Sequence, residues 1–158
     1  MFKKAAKSSL NGFFERPCLI TVTVETTELR LPSRIETVAA AAAAVAEFVN
    51  RSGVSDDAAF GIDMAVREAV TNAVVHGNSQ DEGKVVDIVL KSSPDAVEIS
   101  VHDQGPGFNP NEVPDPTVEE NILKTSGRGI FFMRSFMDEV DWFLPPEGGT
   151  TVRMLKRR

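Results

Sequence analysis

The stretch SDDAAFGIDMAVREAVTNAVVHG, residues 55–77, reads as one amphipathic helix, and it sets the frame for the rest of the chain. Ser55 followed by Asp56 and Asp57 is a helix start, because their side chains satisfy free N–H groups and oppose the helix dipole. Ile62, Ala65, Val66, Ala69 and Ala73 then recur at helical spacing and define an apolar face. Glu68, Asn72 and His76 stand four residues apart on the border of that face. Each such step rotates a side chain by only about 40°, so the three form one stripe. The stripe has two readings: solvated polar residues on an amphipathic helix, or an amide oxygen for a hard cation beside a proton-accepting carboxylate.

Working outward, Leu19 to Leu31 is rich in Thr and Val and suits a strand. Ser33 with Glu36 predicts a capping box opening a first helix, with Ile35, Val38, Ala42, Val45 and Val49 recurring on one face and Gly53 at its end. Downstream, Val85 to Leu90 and Val97 to Val101 are strands joined through Ser92-Ser93-Pro94-Asp95. A helix is expected near Gly129 to Met137, then strands near Glu139 to Leu144 and Thr150 to Leu155. This order predicts an α/β fold, a two-layer sandwich whose mixed, mostly antiparallel sheet carries helices on one face.

Two further clusters flank a long irregular segment, residues 105–126, that holds four prolines (Pro106, Pro110, Pro114 and Pro116). A connection of that length is commonly a lid or binding loop. At its start lies His102-Asp103-Gln104-Gly105-Pro106-Gly107. These residues suit a turn, and equally a site where backbone passes close to a flat ligand while Asp103 accepts a hydrogen bond from an exocyclic amine. Adenine carries that amine where guanine presents a carbonyl oxygen. At the segment's end lies Thr125-Ser126-Gly127-Arg128-Gly129. Glycines before a helix N-terminus expose N–H groups to an anion, and Arg128 adds a guanidinium that can fork onto phosphate. Alternatively, the glycines simply open the helix.

Composition narrows the field. The chain has 158 residues, 42% hydrophobic and 25% charged, which suits a single folded domain. Seventeen basic against 23 acidic residues leave a formal charge of −6, the wrong sign for a protein that tracks nucleic-acid phosphates directly. One cysteine, Cys18, cannot form an internal disulfide, and two histidines offer little to zinc. The apolar run Ala39 to Ala46 is far shorter than a membrane span, and the lysine-bearing N-terminus has no continuous apolar core for a signal peptide. Residues 1–17 are therefore expected to be an N-terminal arm, residues 18–158 one domain, and the location cytoplasmic. The Walker pattern, the H-R-D and D-F-G kinase signatures and the dinucleotide fingerprint are all missing from the sequence.

Taken in order, the three clusters resemble a known superfamily. Glu68-Ala69-Val70-Thr71-Asn72-Ala73-Val74-Val75-His76-Gly77 is similar to the N box of the GHKL ATPases. Asp103-Gln104-Gly105-Pro106-Gly107-Phe108 is similar to their first glycine box, and Gly127-Arg128-Gly129-Ile130 to their second. Within the superfamily, Glu68 to Ala73 and Gly127 to Val140 most resemble the stand-alone anti-sigma factor serine/threonine kinases of bacteria, and the likeness runs over about residues 30 to 155. The resemblance implies a Bergerat-type sandwich binding ATP with Mg²⁺, in which Asn72 holds the metal and Asp103 receives the adenine amine. It further implies that Gly107 lines the adenine pocket, that Gly105 also belongs to the nucleotide-binding set, and that Thr125, Ser126, Gly127, Arg128 and Gly129 close on the phosphates. Thr150 would help hold adenine through water, with Thr151 as its rival, and Glu68 would be the general base. It also implies two partners, a sigma factor and a STAS-domain anti-anti-sigma protein that is phosphorylated, and allows a homodimer. Two alternatives remain at this point: a partner-binding module without kinase activity, and a detached histidine-kinase ATPase domain. The second would bring a phosphoacceptor histidine, whereas His76 and His102 both fall inside nucleotide-site motifs. Arg67, Arg134 and Asp63 are expected on the surface, and Trp142 in the core.

Overall fold

Strand alternation builds the sheet. In the computed structural model, which describes residues 22–112 and 128–158, five strands run as β1 (Glu25–Pro32), β2 (Val85–Ser92), β3 (Ala96–His102), β4 (Glu139–Phe143) and β5 (Thr151–Arg157). They lie in the order β1-β2-β3-β5-β4, and each described pairing is antiparallel. Register places Leu29, Ile88, Val101, Val152 and Trp142 in one row, and Thr27, Leu90, Ile99, Met154 and Val140 in another. Paired residues share a face, so these rows give the sheet one apolar side. The opposite side carries ion pairs: Arg30 to Asp87 at 2.7 Å, and Arg153 to Glu98 at 2.9 Å and to Asp141 at 3.1 Å.

Three α-helices cover the apolar side: α1 (Thr37–Ser52), α2 (Asp56–Thr71) and α3 (Arg128–Phe136). Phe48 of α1, Ile62 and Val66 of α2 and Met133 of α3 are buried with Ile88, Leu90, Ile99 and Met154 of the sheet in one core. Each large side chain withdrawn from water there contributes about 1.5–3 kcal/mol. The expected α/β sandwich, with a largely antiparallel sheet and helices on one face, is the fold. Among the described residues no helix is long and apolar enough to cross a membrane.

The helix ends show which local signals held. Ser55 caps α2, its hydroxyl accepting the Ala58 N–H at 3.2 Å, with Asp56 and Asp57 in the first turn. Gly53 closes α1 in the left-handed conformation, φ 69°. The predicted capping box does not form. The Ser33 N–H donates to the Lys84 carbonyl at 3.1 Å, drawing Ser33 into the packing beside the sheet, and a short turn carries the chain to Thr37 before α1 begins. Glu36 is the capping residue and makes no side-chain cap bond, while the buried Ser33 hydroxyl finds no partner among the described residues. The N-terminal arm, residues 1–17, lies outside the described residues, as does the greater part of the expected lid, 113–126.

Candidate functional site: a cleft between α2, α3 and the sheet

α2 does not stop at Thr71. It runs on as a π-helical turn, Asn72–Gly77, so the wider i+5 turn begins at Asn72 itself. Glu68 and Asn72 still share a cavity wall, but His76 leaves the ideal α-helical stripe and ends exposed at the cavity's rim. Short π-helical stretches inside α-helices are frequent at functional sites.

The cavity has a volume of about 570 Å³, in the range that holds a drug-sized ligand. Glu68, Asn72, Asp103, Gly107, Arg128, Gly129 and Thr150 all line it, joining the three sequence clusters and the start of β5. Gly105 stands just behind this wall and donates its N–H to Asp103 Oδ1 at 2.9 Å. Thr125, Ser126 and Gly127 lie outside the described residues.

Asp103 is the most constrained of the set, 7% exposed at the end of β3. Its Oδ1 accepts from the N–H groups of Gly105 at 2.9 Å and Thr150 at 3.2 Å, and its own N–H donates to the Thr150 carbonyl at 3.0 Å. Both side-chain bonds go to Oδ1, while Oδ2 is the oxygen that faces Gly77. A Cβ on Gly77 would collide with that carboxylate, so the glycine is what lets α2's extension pack against it. The same bonds separate two neighbouring threonines. Thr150 is buried in the cavity wall, whereas Thr151 hydrogen-bonds His102 Nδ1 at 2.9 Å, behind the cavity.

At the other end, the N-terminus of α3 abuts α2. A Cβ on Gly129 would fall 2.6 Å from Glu68 Oε2 and 3.5 Å from Asn72 Nδ2, so the missing side chain is what admits the Glu68 carboxylate. The helix dipole at the start of α3 favours negative charge in this corner. The cleft therefore has two chemically different ends: a rigid carboxylate on the sheet side, and an anion-favouring helix terminus beside a second carboxylate and an amide.

Several cavity residues escaped the sequence reading. Trp142 on β4 is half-buried: it packs against the core, as expected, and also lines the cavity, with the Arg134 guanidinium 5.1 Å from its ring centroid. Its place in an alternating strand matched a core position, and nothing local marked it otherwise. Phe132 and Met133 enter from α3, where helical spacing alone gave no reason to separate cavity from core. Asp63 and Arg67 do form a surface ion pair, at 2.9 Å.

A two-layer sandwich with a cleft lined by these boxes defines a class, the GHKL ATPases. The chain matches the family model described as "Histidine kinase-like ATPase domain" over residues 31–156. Over 131 residues it is 34% identical to the protein named "Anti-sigma F factor" of Oceanobacillus iheyensis, covering 82% of this chain and 90% of that one. It is 32% identical over 136 residues to "Serine-protein kinase RsbW" of Staphylococcus epidermidis, covering 82% and 84% respectively. A Clostridium perfringens "Anti-sigma F factor" is 39% identical over 98 residues, 61% of this chain and 70% of its own. The chain belongs to the histidine kinase-like ATPase family, in the branch of the anti-sigma factor kinases.

Proposed function

We propose that this protein is an ATP-dependent serine/threonine protein kinase that acts as an anti-sigma factor, holding a sigma factor and phosphorylating a STAS-domain antagonist in a partner switch. The observation that carries this reading is the convergence of Glu68, Asn72, Asp103 and the start of α3 on one cleft. In it, residues 18–158 are the single catalytic domain and the location is cytoplasmic.

Asp103 would bind the adenine amine, since a carboxylate fixed by two backbone N–H groups keeps an acceptor aimed at one donor. Thr150 would assist there through water, and Gly107, with φ 85°, lets the backbone turn close to the base. The phosphates would run toward α3, where Arg128 and Gly129 would meet them, and Thr125, Ser126 and Gly127 are the residues that the sequence resemblance adds to this contact. The chemistry of Asn72 fits a hard cation: its side-chain amide lies beside that anion-favouring corner, and its amide oxygen is the atom that would bind the metal. Mg²⁺ held there with the phosphates would offset charge on the transferring group. Glu68 would take the proton from the incoming serine or threonine hydroxyl. The hydroxyl oxygen then bonds to the γ-phosphorus, the bond from that phosphorus to the β–γ bridging oxygen breaks, and ADP leaves.

The test is phosphate transfer from labelled ATP to the cognate STAS protein. Wild-type protein should label it; Glu68→Ala should still bind ATP and fail to transfer. Continued transfer by Glu68→Ala would remove that residue from the base role. Recovery of a sigma factor equally well by both proteins would separate the holding function from catalysis.

A further inference from the structure

Beside Asp103 lies a closed circuit of hydrogen bonds that nucleotide contact does not require. Asn78 follows the π-helical turn and is completely buried. Its Oδ1 accepts the Gln104 backbone N–H at 2.8 Å, and its Nδ2 donates to the Val85 carbonyl at 2.9 Å. The Val85 N–H in turn donates to Gln104 Oε1 at 2.8 Å. Partner chemistry alone orients the Asn78 amide, because one neighbour is a donor and the other an acceptor.

The circuit sits where the sheet lets go of its own backbone. The β2–β3 register ends at Asp87 with His102, and Asp103 turns away to bond Thr150 on the side of β5. Val85 lies beyond that last pair, and its N–H and C=O are taken by the side chains of Gln104 and Asn78. Asn78 thus ties the end of α2's extension, the start of β2 and the residue after Asp103 to one point. Its own N–H is anchored to the Ala73 carbonyl at 2.8 Å, and the next two residues, Ser79 and Gln80, both adopt left-handed backbone, with φ 53° and 55°. Two successive non-glycine residues in that region need a surrounding structure that fixes them.

We propose that Asn78 is a positioning residue that sets the Asp103 carboxylate against the base, acting through the Gln104 backbone; this rests on the ATP reading above. Asn78→Ala would remove the partners of the part-buried Gln104 N–H and Val85 C=O and release the Gln104 backbone from its anchor. Asp103 would then meet the adenine amine less well, while the phosphate end of the cleft keeps its contacts. The loss should fall on base discrimination.

The experiment compares ATP and GTP affinities by calorimetry for wild type, Asn78→Ala and Gln104→Ala, each shown folded by circular dichroism at the temperature used. Asn78→Ala should bind ATP roughly tenfold more weakly while GTP binding changes little, so that the ATP-to-GTP preference shrinks. Gln104→Ala, which opens the circuit at an exposed side chain, should shift it in the same direction by less. A folded Asn78→Ala with an unchanged preference overturns the proposal, since a purely structural role would lower melting temperature alone. If Asn78→Ala does not fold, Gln104→Ala decides in the same way. A wild-type protein that binds neither nucleotide would instead sink the ATP reading itself.

Discussion

The two oxygens of Asp103 are not equivalent: both backbone N–H groups bind Oδ1. An asparagine there can keep its carbonyl oxygen on those donors, which turns its NH₂ toward the Oδ2 position and opposes one donor with another. Asp103→Asn should therefore preserve the fold and weaken ATP binding roughly ten- to a hundredfold, the worth of a hydrogen bond to a charged group. Equal affinity of the two proteins by calorimetry would refute the adenine assignment. The types of residue at this site were legible in the sequence because glycine, carboxylate and amide at fixed intervals carry their chemistry with them. The choice between two adjacent threonines rested on resemblance alone, and it fell on Thr150, the one that lines the cavity. Thr150 and Thr151 differ only in which side of the sheet they meet, and the Asp103 pairing decides that.

At the scale of elements, α2 is the part whose sequence and structure agree best at one end and diverge at the other. Its start is set by one side-chain bond, Ser55 to the Ala58 N–H. Ser55→Ala should cost about 1 kcal/mol of stability, read as a lower melting temperature. The cap stands about 25 Å along the helix from Asn72, so nucleotide affinity should be unaffected. A fall in affinity as large as that of a cleft variant would mean that the helix transmits its fraying. The far end turns π-helical, and no local pattern announced it: a π turn loses helical regularity and is kept by what packs around it. Here the surroundings are Asp103 against Gly77 and the Asn78 circuit. The failed capping box of α1 has the same origin. Ser33 was placed by its contact with Lys84, a tertiary partner 51 positions away that capping rules do not see.

For the molecule as a whole, the helix-free side of the sheet offers a pH test independent of the cleft. The Arg30 guanidinium holds Asp87 below the usual carboxylate range, chiefly by its hydrogen bond, against the opposing effect of burial. A carboxyl with a lowered folded-state pKa adds stability that is present above its unfolded value, about 4, and is lost as pH falls through the lowered one. Wild type should exceed Asp87→Asn by up to about 1 kcal/mol at neutral pH, since the pair is largely exposed, and this advantage should vanish in strong acid. Denaturant melts at both pH values measure it; an advantage that grew on acidification would contradict the sign. Most of the elements, the apolar side of the sheet and the identity of Glu68, Asn72, Asp103 and Gly129 follow from periodicity and residue chemistry, which are local properties. That these residues share one cleft, that Trp142 also lines it, and that Asn78 and Gln104 brace its carboxylate emerge only with folding. Those outcomes depend on which backbone groups the sheet leaves unpaired, and pairing between distant segments is fixed only when the chain has folded.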